Sequence, residues 1–262
     1  MKKVYLLLLS VLILCIGCQW RFNSQQNNED SYAPVERYDR IQALYLATGD
    51  RSALQQLNTK YPEQTRILIE DVLNIGAVNE PLINKKFLQF YQDSMLQVII
   101  ADVQKQYADI NDIDNDLNKA FKELQKLLPN ISQPVVYTQI GALTQSIIVR
   151  DSTLGISLDK YLGADYPIYK TFYPTEQRKL MTRSMIVPDC ICFYILSNYP
   201  LNENDTISYH RQLHMAKIQW IANKVTHKNI FNSQLVKIVN NYIQQHPKTK
   251  IDNFLADNDS IN

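Results

Sequence analysis

The sequence predicts an α+β domain, mostly helical, in which a small sheet of three or more strands lies between two helical segments. Only six of the 262 residues are glycine, about a third of the usual ~7 % share, so the composition leans towards helix. Apolar residues recur at spacings of three and four over long stretches, the pattern of a helix with one buried face. Between Pro134 and Leu158 that spacing gives way to short β-branched runs bounded by turn residues. A chain of this length is enough to bury one sizeable core.

The first eighteen residues carry an address. Lys2 and Lys3 precede an apolar run from Val4 to Ile16, broken only by Ser10. As a helix this run spans roughly 20 Å, short of the ~30 Å hydrocarbon core, so it reads as an export signal rather than a membrane span. It ends in Leu14-Cys15-Ile16-Gly17-Cys18, a small residue directly before a cysteine, which resembles the lipobox of bacterial lipoproteins. The departure is Cys15, where that motif usually has Leu. The resemblance implies cleavage before Cys18, with lipid on its thiol and its new amino end. An ordinary cleaved signal is the alternative. Residues 1–17 are therefore the expected signal. Residues 18–34, rich in Gln, Asn and Ser, are a flexible tether reaching roughly 20–25 Å as a random coil. Residues 35–262 are expected to form one domain.

Within that domain the elements follow in order. Tyr38, Ile41, Leu44 and Tyr45 mark a helix ending near Gly49-Asp50, and a short helix covers Ser52–Asn58. Pro62, at ease in a first turn, opens a longer one to Ile75. Leu82–Tyr91 and Ser94–Tyr107 follow, the latter with Leu96, Ile99, Ile100 and Val103 on one face. Asp112 or Asp114 is placed to cap a helix whose Leu117, Phe121, Leu124 and Leu128 form a stripe stopped by Pro129. Strands are expected at Pro134–Ile140, Gln145–Arg150 and Gly155–Leu158. Helices resume at Thr175–Met185, Pro188–Asn198, Ile207–Thr226 and Ser233–Gln245, before a polar tail.

Charge excludes one class of partner. With 27 basic and 26 acidic residues the chain has no electrostatic footprint for nucleic acid. Losing residues 1–17 removes Lys2 and Lys3 and no acid, leaving 25 against 26. The glycines are too scattered for a GxGxxG or GxxxxGK phosphate loop. Cys190 and Cys192, two apart on a helix, point away from each other and read as small core residues.

Residues that suggest catalysis each fail a chemical requirement. His210 and His214 share a helix face at the spacing of the HExxH zinc motif, but the position of its general base is Arg211 and Trp220 stands where a third histidine belongs. Two ligands without a base do not make an activated water. Gly155-Ile-Ser157-Leu-Asp159 half-matches a GxSxG elbow, yet the second glycine is Asp159 and the context is a strand. Asp109, Asp112, Asp114 and Asp116 lack the glycine and closing Glu of a calcium loop and read as a solvated helix entry. No cofactor or metal is expected.

The most distinctive stretch is Ser157-Leu-Asp159-Lys-Tyr161-Leu-Gly163, leading to Tyr166, Tyr169 and Tyr173. These rings either form a binding rim or cover the edge or end of the sheet. This stretch resembles the L-D-x-Y-L-G segment of the gliding-motility-associated lipoprotein GldB family. The likeness extends through Arg37-Tyr-Asp39, Tyr61-Pro62, Asn74-Ile-Gly76, Phe90 and Asp93, Ala120-Phe121, Leu128-Pro129, Val135-Val-Tyr137-Thr138 and Ala216-Lys217-Ile218-x-Trp220. It spans roughly residues 35–226. It implies a zincin-type peptidase fold without the zinc motif, in which the helix near Pro188–Asn198 takes the place of the metal helix and carries no histidine. The departure is at the C-terminus, where the family continues in a longer aromatic-containing segment.

These readings converge on an expected function. The chain is a non-catalytic, lipid-anchored envelope protein, a binding or accessory component of a gliding-motility or secretion-related assembly. The alternatives are a degenerate zinc metallopeptidase and a periplasmic lipoprotein that binds peptide or a small ligand. The expected partners are the membrane, through the lipid on Cys18, and an envelope protein. Gln19 follows Cys18, so the Asp that commonly holds lipoproteins at the inner membrane is missing, and the first acids are Glu29 and Asp30. An outer-membrane anchor facing the periplasm is the expected location.

Overall fold

The computed structural model describes residues 33–201 and 207–256. The signal, the lipid-bearing Cys18 and nearly all of the tether lie outside the described residues.

The chain enters the fold through a set of long-range bonds. Val35 N–H donates to Asp114 Oδ1 at 2.8 Å. Glu36 lies beside Tyr137 as a parallel bridge, its N–H on the Val136 carbonyl and its own carbonyl accepting from Thr138 N–H, both at 2.9 Å. Helix α1, Tyr38–Thr48, then runs to Gly49, whose φ of 69° lets its N–H turn back to the Tyr45 carbonyl. Asp50 caps α2, Arg51–Thr59, by accepting from Ala53 N–H.

Helix α3, Pro62–Arg66, continues as a π-helical segment, Ile67–Val72. The sequence predicts one regular helix here. A π turn rotates each residue by less than an α turn does, which brings the consecutive Ile67, Leu68 and Ile69 into the core. Helices α4, Ile83–Phe90, and α5, Ser94–Gln106, follow, the second capped by Asp93. The long α6 covers Asn111–Leu127. Neither Asp112 nor Asp114 caps it. Asp109 does that work, accepting from Asn111 N–H at 2.7 Å, while Asp114 is spent on Val35.

The sheet has the order β1-β3-β2, with β1 at Val135–Gln139, β2 at Ile147–Arg150 and β3 at Thr153–Ser157. β1 pairs parallel to β3 from Val135↔Thr153 to Gln139↔Ser157, and β2 pairs antiparallel to β3 from Ile147↔Ile156 to Arg150↔Thr153. β3 starts two residues earlier than the sequence suggests, because Asp151, at φ 49°, turns the hairpin tightly enough to pair Thr153. One face of the sheet meets α1, where the Tyr38 and Tyr137 rings are edge-on at 6.1 Å. Gly155 lies under that ring: a Cβ there would stand 2.6 Å from Tyr137 and 2.8 Å from Ile148. Ile147, next along β2, therefore points to the opposite face.

After β3 the chain makes a 3₁₀ turn, Leu158–Lys160, and two short helices, α7 at Tyr169–Phe172 and α8 at Thr175–Arg178. The expected single helix Thr175–Met185 is thus broken, resuming only as a 3₁₀ turn at Arg183–Met185. Beyond the break the Met181 carbonyl accepts from Gly163 N–H at 3.0 Å, a long-range bond in place of a helical one. Helix α9, Ile186–Asn198, packs on the Ile147 face, and α10, Ser208–Thr226, packs on α6 and α9. α11, Gln234–Gln245, lies along α10. The expected polar tail instead holds α12, Ile251–Ala256, with Phe254 and Leu255 buried. Lys217, itself buried, fastens it by donating to the Phe254 carbonyl at 2.9 Å, its ammonium 4.5 Å from the Phe254 ring centre.

The described residues are therefore an α+β fold, mostly helical with a three-stranded mixed sheet. No described helix is long and apolar enough to cross a membrane.

Candidate functional site

At the end of β1 the backbone loses its strand partners, and side chains replace them. Gln42 donates to the Ile140 carbonyl and accepts from Ile140 N–H, both at 2.8 Å, and Tyr91 donates to the same carbonyl at 2.6 Å. The next turn is strained, since Ala142 and Leu143 adopt φ of 51° and 62°, a region L residues avoid. Asp159, fully buried, holds it: its two oxygens accept from Gly141 N–H at 2.7 Å and Leu143 N–H at 2.6 Å. Burial pushes the Asp159 carboxyl up from its ordinary value, and those two donors push back.

The rest of the Leu158–Gly163 stretch is bonded as completely. Lys160 Nζ reaches the Leu143 carbonyl at 3.2 Å and the Tyr173 hydroxyl at 3.0 Å, and Tyr173 donates to the same carbonyl at 2.8 Å. The Tyr169 hydroxyl donates to the Asp159 carbonyl and accepts from Leu162 N–H. The Tyr161 carbonyl accepts from the Tyr107 hydroxyl at 2.6 Å. Gly163 needs its φ of 116° to leave this knot. Of the four tyrosines offered as a binding rim, Tyr161 and Tyr169 are buried, and Tyr166 and Tyr173 half-buried with hydroxyls on Asp102 and Leu143. Their rings pack edge-on, Tyr166 to Tyr169 and Tyr169 to Tyr173. They form packing at the end of the sheet.

Tyr161 joins this knot to the helix beside it. The Tyr161 hydroxyl crosses to α9 and donates to Asp189 Oδ2 at 2.8 Å. Asp189 stands in the first turn of α9, where the helix dipole favours an acid. Even so, burial pushes its carboxyl from 3.8 up to about 6, the Tyr161 bond opposing the rise. Asp189 and Tyr161 line a cleft of about 390 Å³ between the start of β2 and α9, with Ser146, Ile147, Leu180 and Phe193 among its walls. Leu180 and Phe193 are 53 % and 42 % exposed, unusual for large apolar side chains beside a polar floor. The sequence offered a faint signal for Asp189, the lone acid in the apolar run Ile186-Val-Pro-Asp-Cys-Ile-Cys-Phe; its partner Tyr161 lies too far along the chain to be paired with it by inspection.

His214 is buried, one ring nitrogen 2.9 Å from the Tyr199 carbonyl, and burial lowers its pKa. His210, four residues away on α10, is half-buried. Among the described residues no group of three or more His, Cys, Asp or Glu side chains could hold a metal ion. Ser157 is buried and accepts from the Gln139 amide at 3.1 Å. Cys190 and Cys192 are buried free thiols held in the protonated form by burial. Three of the four acids around the α6 entry tie distant segments: Asp112 to Arg183 at 2.6 Å, Asp114 to Val35, and Asp116 to Lys228 at 3.0 Å.

A family model described as gliding motility protein GldB matches residues 21–230. Comparison with curated proteins and with solved structures finds no match.

Proposed function

Because the chain belongs to the gliding motility protein GldB family, we propose that it is a lipid-anchored, non-catalytic envelope component that holds a protein partner for a motility or secretion-related assembly. The observation that carries this reading is the family match over 21–230, a family whose model bears the lipoprotein designation, joined to the cysteine motif ending at Cys18. Acyl chains on Cys18 supply ~0.8 kcal/mol per buried CH₂, enough for a stable anchor when two or three are present.

The zincin-type ancestry implied by the family resemblance belongs to the same proposal. α9 crosses the sheet face beside a cleft, and Asp189 and Phe193, four residues apart, both line that cleft. What supports a binding rather than a hydrolytic role is the state of the nearby polar groups. Asp159, Lys160 and Ser157 are engaged in holding the fold, and the one acid facing the cleft has a tyrosine rather than a base as its neighbour. The domain would hang from the outer membrane into the periplasm.

Cys18→Ser should move the protein from the membrane to the soluble fraction with the domain intact; full retention in the pellet would replace the lipid anchor with an uncleaved span. Protease added to intact cells should leave residues 35–262 whole and digest them only once the outer membrane is opened. Purified protein that retains close to one zinc per chain would favour the peptidase instead.

A further inference from the structure

The two edges of the sheet differ. β1 is bridged by Glu36, whereas among the described residues β2 pairs with β3 alone, its Ile147 buried and its Val149 half-buried. In an antiparallel pair, alternate residues bond across the ladder and those between point outward. Ser157 N–H donates to the Ser146 carbonyl at 2.9 Å, so Ser146, Ile148 and Arg150 face β3. Ile147 and Val149 therefore aim their N–H and C=O groups away from the sheet, and no described residue bonds them. Four backbone groups in a row at that edge are a template for one more short strand.

The cleft begins where this edge begins. A residue paired beside Ile147 would place its side chain on the same face as Ile147, towards Asp189. Asp189 has one oxygen on the Tyr161 hydroxyl and leaves the other to the cleft. Lys160, the other charge in the lining, is taken by Tyr173 and the Leu143 carbonyl. The cleft thus presents one carboxyl group with no ion-pair partner among the described residues, next to a strand edge whose outward backbone groups have no partner there either, and flanked by the exposed Leu180 and Phe193.

We propose that a partner protein inserts an extended segment along the outer edge of β2, with a lysine or arginine side chain set against Asp189 and apolar side chains two residues to either side, which share its face, on Leu180 and Phe193. Main-chain bonds to Ile147 and Val149 hold the segment, and Asp189 selects the cation. This rests on the reading of the domain as a binding module and names the chemistry of what it binds.

The test uses the full mature chain in detergent and two pools of end-capped hexapeptides, one with lysine and one with glutamate fixed at the third position. The lysine pool should bind about tenfold tighter, as expected for one desolvated charge pair. It should slow hydrogen exchange at the Ile147 and Val149 amides. Asp189→Asn should reduce the preference to about twofold or less, with main-chain protection retained. Val149→Pro removes an outward N–H that the ladder does not use, and should abolish binding by both pools while thermal unfolding is unchanged. Equal binding of the two pools, binding by neither, or protection elsewhere would overturn the proposal. Protection of the same amides without peptide, with concentration-dependent dimerisation, would make the occupant a second copy of this chain. Failure of Cys18→Ser to release the protein would strike at the anchor and leave this result standing.

Discussion

Asp159 and Asp189 are both acids sunk into the protein, yet they are solvated in opposite ways. Asp159 has a backbone N–H on each oxygen and holds a strained turn in place. Asp189 has a single tyrosine hydroxyl, a carboxyl pushed up to about 6, and an open cleft on its remaining side. A fold that needs a buried acid for its own shape gives it a full set of donors, because an unpaired buried charge is destabilising by several kcal/mol. Asp189 lacks that set. The difference separates a group whose both oxygens are bound into the fold from one whose second oxygen is left to a cleft.

Asp159 is the acid whose loss should cost the fold most. Asp159→Ala leaves two buried N–H groups without acceptors beside two left-handed residues, and should cost about 3–5 kcal/mol, a fall of roughly 10 °C in the unfolding midpoint. An unchanged midpoint would mean the turn at Gly141–Leu143 supports itself. Asp189→Asn should act in the opposite direction, stabilising the protein by up to about 3 kcal/mol at pH 7. The sign follows from the raised carboxyl. Between 3.8 and about 6 the folded state holds a proton that the unfolded state has released, so wild-type stability is lost as pH rises through that window. Urea unfolding of the two proteins should coincide below that window and separate above it; a variant less stable at pH 7 would show the carboxylate to be structural.

Smaller changes sharpen the same contrast. Tyr161→Phe removes the one donor to Asp189, should cost about 1 kcal/mol, and should raise the Asp189 carboxyl further, as read by carbon-13 titration. A lower value would mean that another donor takes the place of the hydroxyl. Leu180→Ser and Phe193→Ser should cost no more than about 1–1.5 kcal/mol each, because only about half of each side chain is buried. Peptide affinity is the quantity they should alter.

The helices on either side of the sheet were legible because their apolar residues keep one face, as Leu117, Ala120, Phe121 and Leu124 do on α6. The π segment was not, since Ile67, Leu68 and Ile69 are buried together and leave no period to read. α12 was missed for a different reason: two buried residues are too few to show a pattern, and Lys217, thirty-seven residues earlier, fixes their place. The Leu158–Gly163 stretch was recognisable as unusual, but whether its tyrosines bind or pack depended on hydroxyl partners at Asp102, Leu143 and Asp189 that no local reading supplies. Asp189 itself gains meaning only beside the outer edge of β2, and strand order is invisible in a chain where β3 inserts between β1 and β2.

The entry of the chain has a mechanical consequence. Tension applied through the residues before Val35 reaches the folded part first at Val35 and Glu36, which are tied to Asp114 on α6 and to Val136 and Thr138 on β1. Just behind them the Arg37 guanidinium grips Asp39 with two bonds of 2.8 Å and reaches the Tyr107 carbonyl with a third. A pull from that end is therefore delivered at once to the sheet and the longest helix of the N-terminal half, instead of peeling α1 away turn by turn. Force spectroscopy should record one high rupture with Arg37 present and a lower, earlier one with Arg37→Ala.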